Sequence, residues 1–228
     1  MENPNNLAGF SHLARPTRLL SSFLRFFFKL LYHQFACTYD LVACLVSLGA
    51  WQAWVQSALP YLTGPRTLEI GFGPGHLLYN LKKKGVTAFG LDESPQMIRI
   101  AHGRLSDLNS LPGLIRGTAE SLPFASESMH QVAMTFPAEF ILNPACLIEI
   151  KRVLVKGGRA IVLPMAWITG RKHWERVAAW INHITGQAPA WDERILIPLK
   201  NLGFEVTWTM VNLPSSRLLI VQLQKSAL

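Results

Sequence analysis

The chain has 228 residues, of which 50% are hydrophobic and only 16% are charged, so it can bury the core of one α/β domain with an appended segment. The net charge of +8 suits an anionic partner such as a membrane surface, a nucleic acid or an acidic substrate. Its three cysteines form no C-x-x-C pair, and no Cys/His cluster has the spacing of a zinc site. We therefore expect a reduced cytoplasmic protein without a metal site.

The first distinctive segment is residues 15–31, RPTRLLSSFLRFFFKLL, which is basic and densely apolar. Charged residues interrupt the apolar run, which excludes both a secretory signal and a transmembrane span. The spacing predicts an amphipathic helix that either lies in a membrane interface or packs on the domain as a lid. Its apolar stripe comprises Leu20, Phe23, Leu24, Phe27 and Leu31.

Strands and helices alternate from residue 66 onward, which predicts a parallel sheet with helices on both faces. Two later apolar runs, 204–211 and 218–224, predict a hairpin and hence an antiparallel edge. The Lys156-Gly157-Gly158 segment predicts the stop that follows a helix. We divide the chain into amphipathic or lid helices over 1–60 and a ligand-binding domain over 61–228, with a variable substrate segment at about 165–195. The predicted strands are 67–70, 87–91, 114–116, 131–135 and 159–164. The predicted helices are 18–32, 40–46, 50–57, 75–84, 95–105, 145–153, 171–186 and 195–201.

The most informative stretch is TLEIGFGPGH, residues 67–76, an apolar strand that runs into a glycine-rich turn. Gly71, Gly73 and Gly75 leave no side chains between the backbone and a ligand above the turn. Open α/β folds bind ligands at this end of their strands, so an adenosyl cofactor can lie against the main chain. The Glu69 carboxylate would repel a pyrophosphate and attract a cation, which argues against a dinucleotide-dependent oxidoreductase.

An acid, Asp92, ends the second apolar run, 17 residues after Gly75. In a doubly wound fold, an acid at this point accepts hydrogen bonds from both ribose hydroxyls. The alternative is a helix N-cap, a role that Ser94-Pro95 would serve better.

Four segments together resemble a known family. The E-x-G-x-G-x-G pattern of residues 69–75 resembles the signature loop of class I S-adenosylmethionine-dependent methyltransferases. Residues 117–124, GTAESLPF, resemble the G-D-A-x-x-L-P-F loop of the ubiquinone/menaquinone biosynthesis type, and residues 149–159 resemble its E-x-x-R-V-L-K-P-G-G-R motif. Residues 39–54 resemble the helices before its first strand. The resemblance covers about 39–163.

The resemblance implies a doubly wound, Rossmann-like sheet of seven mostly parallel strands with an antiparallel C-terminal strand. It also implies S-adenosylmethionine as cofactor and S-adenosylhomocysteine as product. The loop at 117–124 would lie against the adenine, where Thr118 replaces the family's acid and Glu120 could substitute for it; an ordinary turn is the alternative. The implied cofactor residues are Tyr39, Glu69, Gly71, Phe72, Gly73, Gly75, Asp92, Glu93, Met97, Thr118, Ala119, Glu120, Thr135 and Phe136.

Methyl transfer is an in-line displacement, and it needs a general base only if the nucleophile must lose a proton. Glu139, after the fourth predicted strand, is the candidate base, with a solvated acid at a helix start as the alternative. His76 is better explained as a partly exposed residue at a helix start. The candidates for a substrate pocket are Tyr32, Trp167, His173 and Trp174; core packing explains the tryptophans equally well.

We interpret the chain as a methyltransferase for a hydrophobic or membrane-resident small molecule, a lipid or a quinone-type ring, with peripheral contact to the inner face of the membrane through residues 15–31. The alternatives are a soluble small-molecule O- or N-methyltransferase, a phospholipid headgroup N-methyltransferase and a non-catalytic S-adenosylmethionine-binding protein. A nucleic-acid substrate is not expected, because the basic residues are scattered and no N-P-P-Y-like tetrapeptide follows the fourth strand. The sequence does not specify an oligomeric state.

Overall fold

The apolar runs pair into one seven-stranded sheet in the computed structural model, which describes residue 47 and residues 49–108, 113–137, 143–169 and 192–227. The strands are β1 (Arg66–Ile70), β2 (Thr87–Asp92), β3 (Leu114–Arg116), β4 (Met129–Thr135), β5 (Leu154–Ile168), β6 (Phe204–Leu213) and β7 (Ser216–Lys225). The described α-helices are α1 (Trp51–Gln56), α2 (His76–Lys83), α3 (Pro95–Leu105), α4 (Pro144–Val153) and α5 (Ile197–Asn201). Short 3₁₀ helices cover Leu59–Tyr61 and Glu193–Leu196.

The strand order is β3-β2-β1-β4-β5-β7-β6. Strands β1 to β5 pair in parallel, whereas β7 is antiparallel to both of its neighbours, β5 and β6. Strand β7 is therefore the one reversed strand. This topology confirms the predicted doubly wound sheet with an antiparallel C-terminal strand.

Two hydrophobic cores lie on the two faces of the sheet. On one face Leu147, Ile150 and Val153 of α4 pack with α5 against the strands. On the other face α1, α2 and α3 pack together, with Trp54 and Leu78 among the buried residues. The sequence explains where two of these helices begin. The Ser94 hydroxyl accepts the Met97 N–H at 3.3 Å at the start of α3, and the Asn143 side-chain Oδ1 accepts the Ala145 N–H at 3.0 Å at the start of α4.

Strand β5 is longer than the predicted 159–164, because pairing with β7 extends it to Ile168. At its other end α4 stops at Val153, and Gly157 does not end the helix. Instead Gly157 has φ +70° and lies in an irregular stretch of the β4–β5 pairing, between Leu154 and Arg159. Gly157 alone of this pair supplies left-handed backbone, and it does so within a strand and not at the predicted helix stop.

The helices predicted over 18–32, 40–46 and 171–186 lie outside the described residues. Over the ranges that the structure describes, no helix is long and apolar enough to cross a membrane. Those ranges also contain no group of three or more His, Cys, Asp or Glu side chains that could hold a metal ion.

Candidate active site

The segments that follow β1, β2, β3 and β4 meet along one edge of the sheet, because these parallel strands are neighbours. Backbone hydrogen bonds hold them in place just past the strand ends. The N–H of Gly71 donates to Leu91 O at 2.8 Å, that of Gly117 to Asp92 O at 3.2 Å, and that of Phe136 to Leu163 O at 2.7 Å. The predicted cofactor residues on these segments are thereby gathered along this edge.

The glycine turn adopts a backbone that other residues would adopt only with strain. Gly71, Gly73 and Gly75 have φ of +68°, +54° and +80°. A Cβ on Gly75 would also lie 2.9 Å from the Cβ of Ala101, so this glycine lets α2 start close to α3. The Arg104 guanidinium, on α3, donates to the carbonyl of Pro74 within the turn.

Glu69 lies at the end of β1 beneath this turn and is only 1% exposed. Its carboxylate accepts the backbone N–H of Leu78, in the first turn of α2, where helix donors have no partner within the helix. Burial raises the pKa of Glu69 well above its ordinary value, and the nearby Asp92 charge raises it further; the hydrogen bonds from Leu78 and Thr135 oppose this rise. Its Oε2 atom has no hydrogen-bond partner among the described residues.

Asp92 connects the glycine turn to the start of α3. Its Oδ2 accepts the Gly73 N–H at 2.9 Å, and its Oδ1 accepts the Ser94 N–H at 2.9 Å. Burial raises the pKa of Asp92, while the backbone N–H groups of Ser94, Gly73 and Glu93 oppose the rise. Ser94, and not Asp92, is the N-cap of α3.

The remaining predicted residues differ in exposure. Thr118, Glu93 and Glu120 are exposed, whereas Ala119 and Met97 are buried. Glu120 accepts a hydrogen bond from the Asn143 side chain at 3.1 Å. Phe72 is buried in the core beneath the turn.

Phe136 follows β4 with φ +50°, a left-handed conformation that is an outlier for a bulky residue. Its ring stacks on Trp51, with centroids 4.5 Å apart, and lies 5.9 Å from the ring of Trp54. The Trp54 side chain is buried, and its Nε1 has no hydrogen-bond partner among the described residues. This aromatic cluster of Trp51, Trp54 and Phe136 holds α1 against the end of β4. Sequence reasoning identified Phe136 but missed its two partners, whose three-residue spacing on a helix was the available signal.

The other predicted site residues do not all fall in the described ranges. Trp167, on β5, is half-buried against the core on the α4 face of the sheet. His76 lines a polar cavity of about 560 Å³ between α1, α2 and α3. Tyr32, Tyr39, Glu139, His173 and Trp174 lie outside the described residues.

Sequence reasoning matched Glu149 and Arg152 to a family motif but assigned neither residue to the site. The two side chains form an ion pair at 2.7 Å and bond to the backbone of residues 122–124. Their i, i+3 spacing on α4 indicates the ion pair, but not its contact with a loop nearly thirty residues earlier.

Known proteins resemble this chain in sequence and in fold. A family model described as "Methyltransferase domain" matches residues 68–162. The ubiquinone/menaquinone biosynthesis C-methyltransferase UbiE of Blochmanniella floridana is 30% identical over 150 residues, which cover 61% of this chain and 59% of the relative. The chain thus spans less than two thirds of the length of that relative and of the UbiE proteins of two Xanthomonas strains.

Solved structures share the fold at low identity. Phosphoethanolamine N-methyltransferase 2 of Haemonchus contortus matches with a TM-score of 0.61 and 15% identity, over 86% of this chain and 59% of that one. A possible histamine N-methyltransferase of Thermotoga maritima matches with a TM-score of 0.55 and 21% identity, over 91% of this chain and 98% of that one. Residues 68–162 therefore match a methyltransferase domain, the chain shares its fold with known methyltransferase structures, and it resembles the ubiquinone/menaquinone biosynthesis C-methyltransferases.

Proposed function

We propose that this protein binds S-adenosylmethionine and transfers its methyl group to a hydrophobic, quinone-type small molecule. The observation that carries the proposal is Glu69, a buried carboxylate beneath a glycine turn, one oxygen of which has no partner among the described residues. A buried carboxylate is costly unless a cation or a donor meets it. The ammonium or sulfonium group of the cofactor would meet that need. A pyrophosphate would not.

The other residues of the edge fit the rest of the cofactor. The glycine turn lets an adenosyl group lie against the main chain. The two oxygens of Asp92 accept backbone N–H groups and keep a further lone pair between them, so a ribose hydroxyl can donate to this carboxylate. Thr118 and Ala119 would contact the adenine, with Thr135 and Phe136 near the methionine end. Tyr39 would cover the cofactor from the N-terminal helices.

The bound cofactor supplies an electrophilic methyl carbon on a sulfonium. The residues of the chain must hold the nucleophile in line with that carbon and exclude water. The aromatic cluster supplies an apolar wall beside the end of β4. The charge on Glu69 favours the cofactor over its product, which keeps the ammonium group but loses the sulfonium charge. Glu139 is the candidate base for an acceptor that must lose a proton.

The proposed acceptor is a quinone-type ring because the curated relatives are named as ubiquinone/menaquinone C-methyltransferases. The variable segment at about 165–195 would select this acceptor, with Tyr32, Trp167, His173 and Trp174 as candidate pocket residues. A phospholipid headgroup N-methyltransferase and a soluble O- or N-methyltransferase remain the alternatives. The likeness to an N-methyltransferase structure at 15% identity supports the fold alone.

The test is methyl transfer from labelled S-adenosylmethionine into a total extract of the host cell, partitioned between organic and aqueous phases. We expect label in the organic phase and a quinone-type product by mass spectrometry. The variant Glu69→Gln should lose at least about tenfold in rate, since a charge-assisted contact is removed. The matched control is Glu205→Gln, at an exposed position on β6, which should keep the wild-type rate.

Two outcomes would contradict the proposal. Label confined to the aqueous phase would contradict a hydrophobic acceptor and favour the alternative of a soluble small-molecule methyltransferase. No label, with S-adenosylhomocysteine binding intact by calorimetry, would favour the non-catalytic binding protein.

We also propose peripheral membrane contact through residues 15–31. In the full-length protein, changing Arg18, Arg25 and Lys29 to Glu should abolish co-sedimentation with vesicles that contain anionic phospholipid. The matched control reverses three exposed charges elsewhere, at Lys83, Lys84 and Arg99, and should leave vesicle binding intact. Equal loss in both variants would indicate nonspecific charge attraction. Intact vesicle binding in the first variant, with weaker cofactor binding, would make this segment a lid.

A further inference from the structure

The loop formed by residues 117–124, between β3 and β4, has little structure of its own. Its internal backbone hydrogen bonds are Ser121 N–H to Thr118 O at 3.3 Å and Phe124 N–H to Leu122 O at 2.8 Å. The loop also leaves Thr118 exposed at the edge of the sheet where the cofactor is proposed to bind. Contacts from other elements must therefore determine where this loop lies.

The main contacts come from Arg152 at the end of α4. Its Nη2 donates to Leu122 O at 2.9 Å, and its Nη1 donates to Phe124 O at 2.8 Å. The Glu149 carboxylate accepts the Leu122 N–H at 2.8 Å from the same helix. Both backbone polar groups of Leu122 are thus satisfied by one pair of side chains.

Glu149 and Arg152 also fix each other. Arg152 Nε donates to Glu149 Oε1 at 2.7 Å, and its Nη2 donates to Oε2 at 2.8 Å. The hydrogen bond from Arg152 lowers the pKa of Glu149, so the carboxylate stays ionised. Only the planar, many-donor guanidinium can meet a carboxylate with two parallel bonds and two carbonyls at once; a lysine ammonium cannot.

A second attachment lies at the other end of α4. The Asn143 side chain caps this helix and donates to Glu120 at 3.1 Å. Between the two attachments Ala119 and Leu122 are buried in the core. The loop is therefore held against α4 at both ends of the helix.

We propose that Arg152, with Glu149, is a positioning residue that sets the 117–124 loop for recognition of the adenine of the cofactor. The inference rests on the proposed function, since it needs an adenosyl ligand at this edge. The ion pair of Glu149 and Arg152, whose side chains are 18% and 32% exposed, is held in one geometry by two parallel hydrogen bonds. Its consequence lies in loop geometry: Thr118 can bond the adenine amino group only while Leu122 and Phe124 are held.

The test measures dissociation constants by calorimetry for S-adenosylhomocysteine and for S-inosylhomocysteine, which lacks the adenine amino group. The wild-type protein should prefer the adenine ligand. In Arg152→Lys the dissociation constant for S-adenosylhomocysteine should rise about tenfold, and the ratio of the two constants should fall toward one. Glu149→Gln keeps an acceptor for the Leu122 N–H and should give an intermediate ratio.

Lys151→Met is the matched control on the same helix. Lys151 donates to Leu202 O at 2.8 Å and to Gly203 O at 3.3 Å, so its loss affects a different part of the molecule. This control should keep the wild-type ratio even if its melting temperature falls.

The failures of the two proposals can be told apart. If wild-type protein binds neither ligand, the proposed function is overturned. If wild-type protein prefers the adenine ligand and Arg152→Lys keeps the same ratio, only the positioning role is overturned. Equal loss of the ratio in Arg152→Lys and Lys151→Met would also overturn it, because general destabilisation would then explain the effect.

Discussion

At the scale of single residues, two opposing effects act on the protonation of Glu69. Its burial disfavours the carboxylate and raises its pKa, while the N–H of Leu78 and the proposed cation favour the charged form. Without a ligand, the folded protein therefore binds a proton at Glu69 more tightly than the unfolded chain does. A bound cation would oppose that preference, because it favours the charged carboxylate.

This opposition predicts two pH profiles of opposite sign. Because the folded pKa is raised, the stability from Glu69 is complete below the ordinary carboxyl range and is lost as pH rises through the folded pKa. Unfolding free energy of the ligand-free protein should fall there by up to about 1.4 kcal/mol per pH unit. Affinity for S-adenosylhomocysteine should rise over the same window by up to about tenfold per unit.

The measurements are denaturant unfolding and calorimetric binding across that pH window. Glu69→Gln should flatten both profiles. The pH dependence that remains should be the smaller one from Asp92, because burial raises the pKa of that carboxyl as well. Glu205→Gln, on the surface, should leave both unchanged. Ligand affinity that falls with rising pH would contradict the proposed contact between Glu69 and a cation.

A second prediction at this scale concerns Gly75. Replacement by alanine should lose about 1–2 kcal/mol from the left-handed backbone and about 1–3 kcal/mol more from the 2.9 Å approach to Ala101. Gly85 has nearly the same backbone, φ +78°, but no atom within 4 Å of an added Cβ. Gly85→Ala should therefore show only the first loss in urea unfolding. Equal losses would mean that the contact between α2 and α3 is not tight.

At the scale of elements, the connection into β1 is held to the sheet by one side chain. Gln131 of β4 is 2% exposed; its Oε1 accepts the Gly64 N–H at 2.6 Å and its Nε2 donates to Tyr61 O at 3.1 Å. It therefore links the Leu59–Tyr61 turn, and α1 before it, to the centre of the sheet.

Gln131→Met preserves the shape of this side chain and removes both hydrogen bonds. We expect a loss of about 1–3 kcal/mol, because two backbone groups lose their partners, measured by urea unfolding. Gln224→Met, at an exposed position on β7, should change stability by less than about 0.5 kcal/mol. If the two variants lost the same stability, the link would not hold the turn.

Helices and strands whose bounds depend on local signals were predicted from the sequence better than those that depend on distant contacts. Helix α3 was predicted with its observed bounds. Its start signal, Ser94-Pro95, acts within the helix itself, because the Ser94 side chain caps the first turn. Strand β5 was predicted too short, because its extension depends on pairing with β7. The stacking of Phe136 on Trp51 and the contacts of Arg152 to residues 122–124 were not predicted, since each joins segments distant in sequence. The left-handed backbone of Phe136 was not predicted either, because no glycine marks this position.

At the scale of the whole molecule, the alternation of apolar runs and turns was enough to predict a doubly wound sheet with one reversed strand. The motifs placed the glycine turn and Asp92 at one edge, and their mutual hydrogen bond is a finding of the structure. Residues such as Tyr39 and Glu139 stay predictions, because they lie outside the described ranges.

Cofactor binding should stabilise this domain as a unit, since the proposed site joins four segments of one sheet. S-adenosylhomocysteine at 100 times its dissociation constant adds about 2.7 kcal/mol, which raises the melting temperature of a domain of this size by about 5–10 °C. Scanning calorimetry measures the shift, with NAD⁺ as the control ligand. An equal shift with NAD⁺ would favour a dinucleotide site and contradict the role assigned to Glu69.

The strand order also constrains assembly of the chain during synthesis. Strand β6 leaves the ribosome before β7, yet it reaches the sheet only through β7, which lies between β5 and β6. Until β7 pairs, the 15-residue β5 presents an open, largely apolar edge to other nascent chains. A product that terminates between residues 203 and 216 would keep that edge exposed, and it should aggregate even though its glycine turn and Asp92 are intact.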